Sequence, residues 1–165
     1  MSVIDNVLKA NELYSESYTN NNLPAPPALK LAVITCKDAR MMVEAILGLK
    51  EGDAHIIRNA GGVVTPDVIR SLLVSHYMLG AQEVMIINHT GCGMMGFTDE
   101  QLFTKVRQVT GTAAAGPEAI HTFTDIEENV RRQVEKVKSH PWIPEGMVVR
   151  GFVYDMETGK LREVV

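Results

Sequence analysis

Two uninterrupted apolar runs, Leu31-Ala32-Val33-Ile34 and Val84-Met85-Ile86-Ile87, constrain this chain more than any other feature. A strand that alternates apolar and polar residues buries one face. A strand apolar throughout is covered on both, as in a parallel sheet packed between helices. Each run leads into a stretch rich in reactive groups: Thr35-Cys36-Lys37-Asp38-Ala39-Arg40 after the first, His89-Thr90-Gly91-Cys92-Gly93 after the second. These stretches hold both cysteines of the 165-residue chain. Parallel strands end at one edge of their sheet, where open α/β sheets bind their ligands. Two thiols, an imidazole, a carboxylate and a guanidinium therefore converge on one crevice.

The remaining pattern alternates helix with strand. Residues 2 to 15 read as a helix, with Ser2 and Asp5 at capping-box spacing and an apolar stripe of Ile4, Val7 and Leu8. An Asn- and Pro-rich linker, 19 to 27, separates it from the rest. Strands are expected at 30–35, 54–57 and 84–88, and a helix at 41–47 closed by Gly48. Thr65-Pro66 opens another helix, striped by Val68, Leu72, His76 and Leu79 and stopped at Gly80, with His76 read as a core histidine. Thr98 with Gln101 opens a helix whose Leu102, Phe103, Val106 and Val109 share a face, followed by a small-residue loop at 111–116. Thr124 with Glu127 opens the last helix, with Ile126, Val130, Val134 and Val137 inward, ending before Pro141. Strands 147–154 and 161–165 flank a turn at 157–160. The expectation is a single α/β domain: a mostly parallel β-sheet flanked by helices, a C-terminal strand pair, and an N-terminal helix extending to a partner subunit. In these terms residues 1–28 are a helix-and-linker arm and residues 29–165 the α/β domain that carries both cysteine-bearing strand ends.

Composition closes off several classes. With 45% hydrophobic residues the chain fills one core, and its net charge of −4 argues against nucleic acid or an anionic membrane as partner. No apolar run approaches the ~20 residues that span a bilayer, and Met1-Ser2-Val3-Ile4-Asp5 shows no secretory signal. Two cysteines make no disulfide framework, so reduced thiols and a cytoplasmic location are expected.

A buried cysteine taken alone is as readily a small apolar residue as a ligand. Here each cysteine follows a strand end with a second donor close by. His89 and Cys92, two residues apart, can turn inward from one loop, and Cys36 completes a Cys2His set suited to zinc. Three protein ligands without a fourth form the open arrangement of catalytic zinc. Asp38 has three possible roles: ligand, acceptor of a hydrogen bond from metal-bound water, or partner of Arg40.

Cys36-x-Asp38-x-Arg40, Arg58-Asn59-Ala60-Gly61 and His89-x-x-Cys92-Gly93, in this order and separation, resemble the β-class carbonic anhydrases. The resemblance continues through the helix from Asp125, Pro141-x-Ile143-Pro144, Gly151 and Tyr154-Asp155-x-Glu157-Thr158-Gly159. It implies one zinc ion per subunit on Cys36, His89 and Cys92, hydrating carbon dioxide to bicarbonate through zinc-bound hydroxide. Asp38 and Arg40 are then the dyad controlling the fourth zinc position, and Gly61 and Gly62 keep the substrate pocket narrow. A homodimer or assembly of dimers is also implied, with the N-terminal helix lying over the partner. Lys37 and Gly91 depart from the residues common in the family, methionine and aspartate, but neither is at a ligand position. The same scaffold would suit a carbonyl sulfide or carbon disulfide hydrolase, and a non-catalytic zinc- or bicarbonate-binding protein is the alternative from outside enzymes.

Overall fold

The computed structural model describes residues 2–165. Elements follow in the order α1 (Val3–Glu16), β1 (Leu31–Cys36), α2 (Val43–Leu47), β2 (Ala54–Asn59), α3 (Pro66–Leu73), β3 (Glu83–His89), α4 (Asp99–Thr110), α5 (Ile126–Lys138), β4 (Val148–Tyr154) and β5 (Leu161–Glu163). The five strands form one sheet in the order β2-β1-β3-β4-β5. The first four are parallel, and β5 closes the edge antiparallel to β4. This is the mostly parallel sheet, flanked by helices and ending in a strand pair, that the apolar runs predict.

The sheet separates two cores. On one face Ala32, Ile34, Val84 and Ile86 pack with Val68 and Leu72 of α3 and Val134 and Val137 of α5. On the other, Val33 and Ile87 pack with Met41, Val43, Met94 and Phe123, and this core contains both cysteines. Because β1 and β3 point residues into both cores, neither strand tolerates polar alternation. Gly151 lets α5 lie close on β4, since a Cβ there would stand 2.9 Å from Val134 Cγ2 and closer still to Val130.

Local signals explain most boundaries. Capping boxes open α1 at Ser2 and α4 at Thr98, and Thr65 caps α3 ahead of Pro66. The cap of α5 is Asp125, not Thr124: its carboxylate accepts the Glu128 N–H at 3.0 Å. Helix α3 does not run unbroken to Gly80; it widens into a π turn at Val74–Met78. That turn offsets the stripe, so Ser75 is the buried residue there. His76 is half-buried and donates from Nδ1 to the Ala81 carbonyl at 2.7 Å, a satisfied histidine at the helix end and not a core one.

Two helices expose apolar residues. Helix α4 buries none of its residues, and Val106 and Val109 are 42% and 72% exposed, because it lies outside both cores. Helix α1 likewise buries none, with Val3 79% and Ile4 70% exposed. Its linker meets the sheet domain through Asn20, which donates to Glu51 at 2.6 Å, and Ala28, whose N–H donates to the Gly52 carbonyl at 2.9 Å.

Candidate metal centre

Strand order reverses between β1 and β3: β1 leads outward to β2, and the chain then returns to place β3 on its other side. The C-terminal ends of these two strands therefore frame a crevice. Cys36 ends β1 and His89 ends β3. The chain then turns at Gly91, φ 62°, and presents Cys92 just before a single 3-10 turn, Gly93–Met95. Glycine adopts this positive φ without steric cost.

One donor atom each from Cys36, His89 and Cys92 lies within 4.8 Å of the other two. The sulfurs are 4.0 Å apart, and His89 is fully buried. His89 Nδ1 stands 3.0 Å from the Thr90 carbonyl. A carbonyl accepts, so the ring proton is on Nδ1 and Nε2 offers a lone pair. Among the described residues, Nε2 is the sole buried side-chain nitrogen or oxygen without a hydrogen-bond partner. Leaving such a group unpaired costs ~1–3 kcal/mol, a cost that a metal ion removes. Two thiolates bound at 2.3 Å to a tetrahedral ion are separated by about 3.8 Å, close to the spacing found. The donor set and its orphaned nitrogen fit zinc.

The electrostatics carry the same imprint. A hydrogen bond from the Cys92 thiol holds Cys36 far below the usual thiol range; burial opposes this, while His89 and the Asp38 and Gly61 N–H groups assist. The same bond, with burial, pushes Cys92 up. Ionising the second thiol beside the first is therefore disfavoured, and a divalent cation is what lets both sulfurs ionise. Burial disfavours charge on His89, but the Cys36 thiolate, the Thr90 carbonyl and Asp38 outweigh it and raise its pKa.

Asp38 is turned to Arg40. Its Oδ1 accepts from Arg40 Nε at 2.9 Å and from the Arg40 backbone N–H at 3.0 Å, and its Oδ2 accepts from Nη2 at 2.7 Å. These bonds hold the carboxyl well below the usual carboxylate range. Arg40 Nη2 also donates to the Gly91 carbonyl at 3.1 Å, tying the two site loops together. Asp38 Oδ2 stands 3.7 Å from His89 Nε2, beside the three-donor cluster but not in it.

Gly61 and Gly62 sit behind Cys36. A Cβ on Gly62 would lie 2.9 Å from the Cys36 nitrogen and 2.9 Å from the Thr35 carbonyl carbon. Lys37 is exposed. His55, His76, His121 and His140 lie outside the cluster. Arg58 belongs to a motif whose role the sequence did not reveal. Its guanidinium donates to the carbonyls of Cys36 (3.0 Å), Asp38 (2.7 Å) and Met41 (3.1 Å), bracing the loop that carries Cys36, Asp38 and Arg40. An arginine directly after the apolar pair Ile56-Ile57 was the available signal.

Comparison with known proteins agrees with this geometry. Residues 31–161 match the family model described as carbonic anhydrase. The chain is 42% identical to β-carbonic anhydrase 1 of Mycobacterium tuberculosis, over 99% of both chains. It is 35% identical to the carbon disulfide hydrolase of Acidithiobacillus thiooxidans, covering 83% of this chain and 78% of that one. The crystal structure of a carbonic anhydrase from Streptococcus mutans superposes with a TM-score of 0.94 at 43% identity, covering 100% of this chain and 99% of that one. The chain belongs to the β-carbonic anhydrase family, and it is an enzyme of the lyase class.

Proposed function

We propose that the protein reversibly hydrates carbon dioxide to bicarbonate and a proton, using one zinc ion per chain held by Cys36, His89 and Cys92. The observation that carries this reading is the orphaned, buried His89 Nε2 facing two thiols, with the nearest carboxylate engaged by Arg40. Zinc in such a site supplies a Lewis acid that lowers the pKa of a bound water from 15.7 towards about 7.

The chain's own residues do the rest. Cys36 and Cys92 as thiolates offset the ion's double charge, so water is acidified less than beside three imidazoles and activity rises towards alkaline pH. Asp38, ionised and therefore acceptor-only, would accept a hydrogen bond from the attacking oxygen and aim its lone pair at the substrate. Arg40 keeps both carboxylate oxygens occupied, which holds Asp38 off the metal. Gly61 and Gly62 leave the pocket narrow enough for a triatomic substrate.

The exposed apolar residues of α1 support an arm, residues 1–28, that packs on a second copy of the 29–165 domain, giving a homodimer or an assembly of dimers. Two unbridged thiols as ligands suit the reducing cytoplasm.

The likeness to a carbon disulfide hydrolase gives the competing substrate. Stopped-flow assays of carbon dioxide hydration and carbon disulfide hydrolysis between about pH 6.5 and 9 separate the two. The expected result is hydration that climbs with pH and negligible hydrolysis of the sulfur analogue. A plateau well below pH 7, or preference for carbon disulfide, would reject this assignment.

A further inference from the structure

Beneath the metal centre lies a buried polar circuit that the proposed chemistry does not use. Asn88, Asn129 and Gln133 are each 1% exposed, on β3 and α5. The Val64 N–H donates to Gln133 Oε1 (2.8 Å), Gln133 Nε2 to Asn129 Oδ1 (2.8 Å), and Asn129 Nδ2 to Asn88 Oδ1 (2.7 Å). Asn88 Nδ2 then donates to the carbonyls of Gly61 (3.0 Å) and Gly62 (3.3 Å). Carbonyls accept and the Val64 N–H donates, so both ends dictate the orientation of all three amides. Every donor points the same way, and both ends of the relay grip one turn, residues 61–64. Asn59 adds a clasp from the strand side, accepting the Val63 N–H at 2.9 Å and donating to its carbonyl at 2.8 Å.

That turn touches the metal centre at one place. Gly62 packs against the backbone at Thr35 and Cys36, and the adjoining Gly61 N–H helps to lower the pKa of the Cys36 thiol. A hydrogen bond to a ligating thiolate draws electron density from it, and such outer contacts orient the ligand and tune the metal.

We propose that Asn88, Asn129 and Gln133 are positioning residues: their one-way amide relay holds the Gly61–Gly62 turn on Cys36 and so sets the lifetime and electronic state of the metal bound there. This rests on the reading of Cys36, His89 and Cys92 as a metal centre. A merely structural network would stabilise the fold without touching the metal, and the test is built on that difference.

Asn129→Asp changes one donor to an acceptor at constant size. Arg132 Nη2, already 3.0 Å from Asn129 Oδ1, is placed to balance the new charge. The carboxylate forces Asn88 to reverse, turning its oxygen on the Gly61 and Gly62 carbonyls. Val134→Ala, on the same helix but in the apolar core, lowers stability without entering the relay.

Two readouts apply: zinc release into a chelator, and the near-ultraviolet thiolate-to-metal band of the cobalt(II) form. For Asn129→Asp, zinc release accelerates ~10-fold or more and the cobalt band shifts, whereas Val134→Ala matches wild type in both. If Asn129→Asp yields no folded protein, Asn129→Ser is held to the same outcomes. Wild-type release and an unmoved band in the relay variant, or the same changes in Val134→Ala, overturn the proposal. A wild type that binds neither zinc nor cobalt instead removes the metal centre itself, and the relay's role with it.

Discussion

Gly62 is the position where a single methyl group tests how the site is built. Its φ of +60° lies in the left-handed region, and an added Cβ would stand 2.9 Å from the Thr35 carbonyl carbon, 2.9 Å from the Cys36 nitrogen and 3.0 Å from Asn88 Nδ2. The first two are backbone atoms of β1, a strand hydrogen-bonded on both sides, so they cannot rotate aside. The conformational term for Gly62→Ala is ~1–2 kcal/mol, and the packing term ~1–3 kcal/mol. Together they destabilise by about 2–5 kcal/mol. Gly80→Ala isolates the first term, since Gly80 has φ +77° and nothing within 4 Å of its Cβ position. Urea unfolding of the metal-free proteins at one concentration measures both, which keeps metal and subunit linkage out of the comparison. The structure requires Gly62→Ala to be less stable than Gly80→Ala by ~1–3 kcal/mol, and to bind zinc more weakly because Cys36 moves. Equal stability for the two variants would refute the close approach of residue 62 to β1.

Arg40→Ala releases Asp38 to close on the metal: turnover falls about a hundredfold or more while zinc stays bound, and wild-type rates in stopped flow would remove the dyad's role. Gly151→Ala drives a methyl into Val130 and Val134, lowering stability by ~1–3 kcal/mol in chemical denaturation without changing zinc content per folded chain. Asp99 accepts from Thr122 Oγ1 and from the backbone N–H groups of Ile120, His121 and Thr122, which lower its pKa to about 2. A depressed carboxyl contributes stability above its unfolded pKa and loses it as pH falls through the folded one. The stability gap between wild type and Asp99→Asn is therefore complete above about pH 4 and vanishes as pH falls through about 2; a gap independent of pH would exclude this clamp. Deletion of residues 2–18 lowers the number of subunits per particle in sedimentation equilibrium, whereas an unchanged subunit number would show that α1 does not join subunits.

What the sequence made legible depended on whether the signal was local. The apolar runs of β1 and β3 announced a buried parallel sheet because both faces of each strand are covered, and Cys36, Asp38, Arg40, His89 and Cys92 followed directly at the strand ends. Capping residues Ser2, Thr65 and Thr98 could be read because their partners lie three residues on. The hidden features depend on distant partners. Asn129 and Gln133 look like solvent-facing positions of a charged helix, and distant partners make their burial tolerable: Asn88, 41 residues before Asn129, and the Val64 N–H for Gln133. Arg58 is exposed in the fold as well, and no local signal shows that its guanidinium reaches the carbonyls of Cys36, Asp38 and Met41. The π turn at Val74–Met78 has no signature in the Val68-Leu72-His76 spacing, so the stripe pointed to the wrong buried residue. Helix α4 carries a plausible apolar face with no core beside it, because periodicity predicts amphipathicity but not the neighbour that would cover it.

The proposed function requires zinc at Cys36, His89 and Cys92 for this chain to hydrate carbon dioxide. Stopped-flow hydration followed through complete zinc removal and stepwise return tests that claim most directly. Activity should disappear with the metal and return in proportion to zinc added, reaching its full value at one ion per chain. Hydration that survives chelation, or a chain fully loaded with zinc that leaves carbon dioxide untouched, would contradict it.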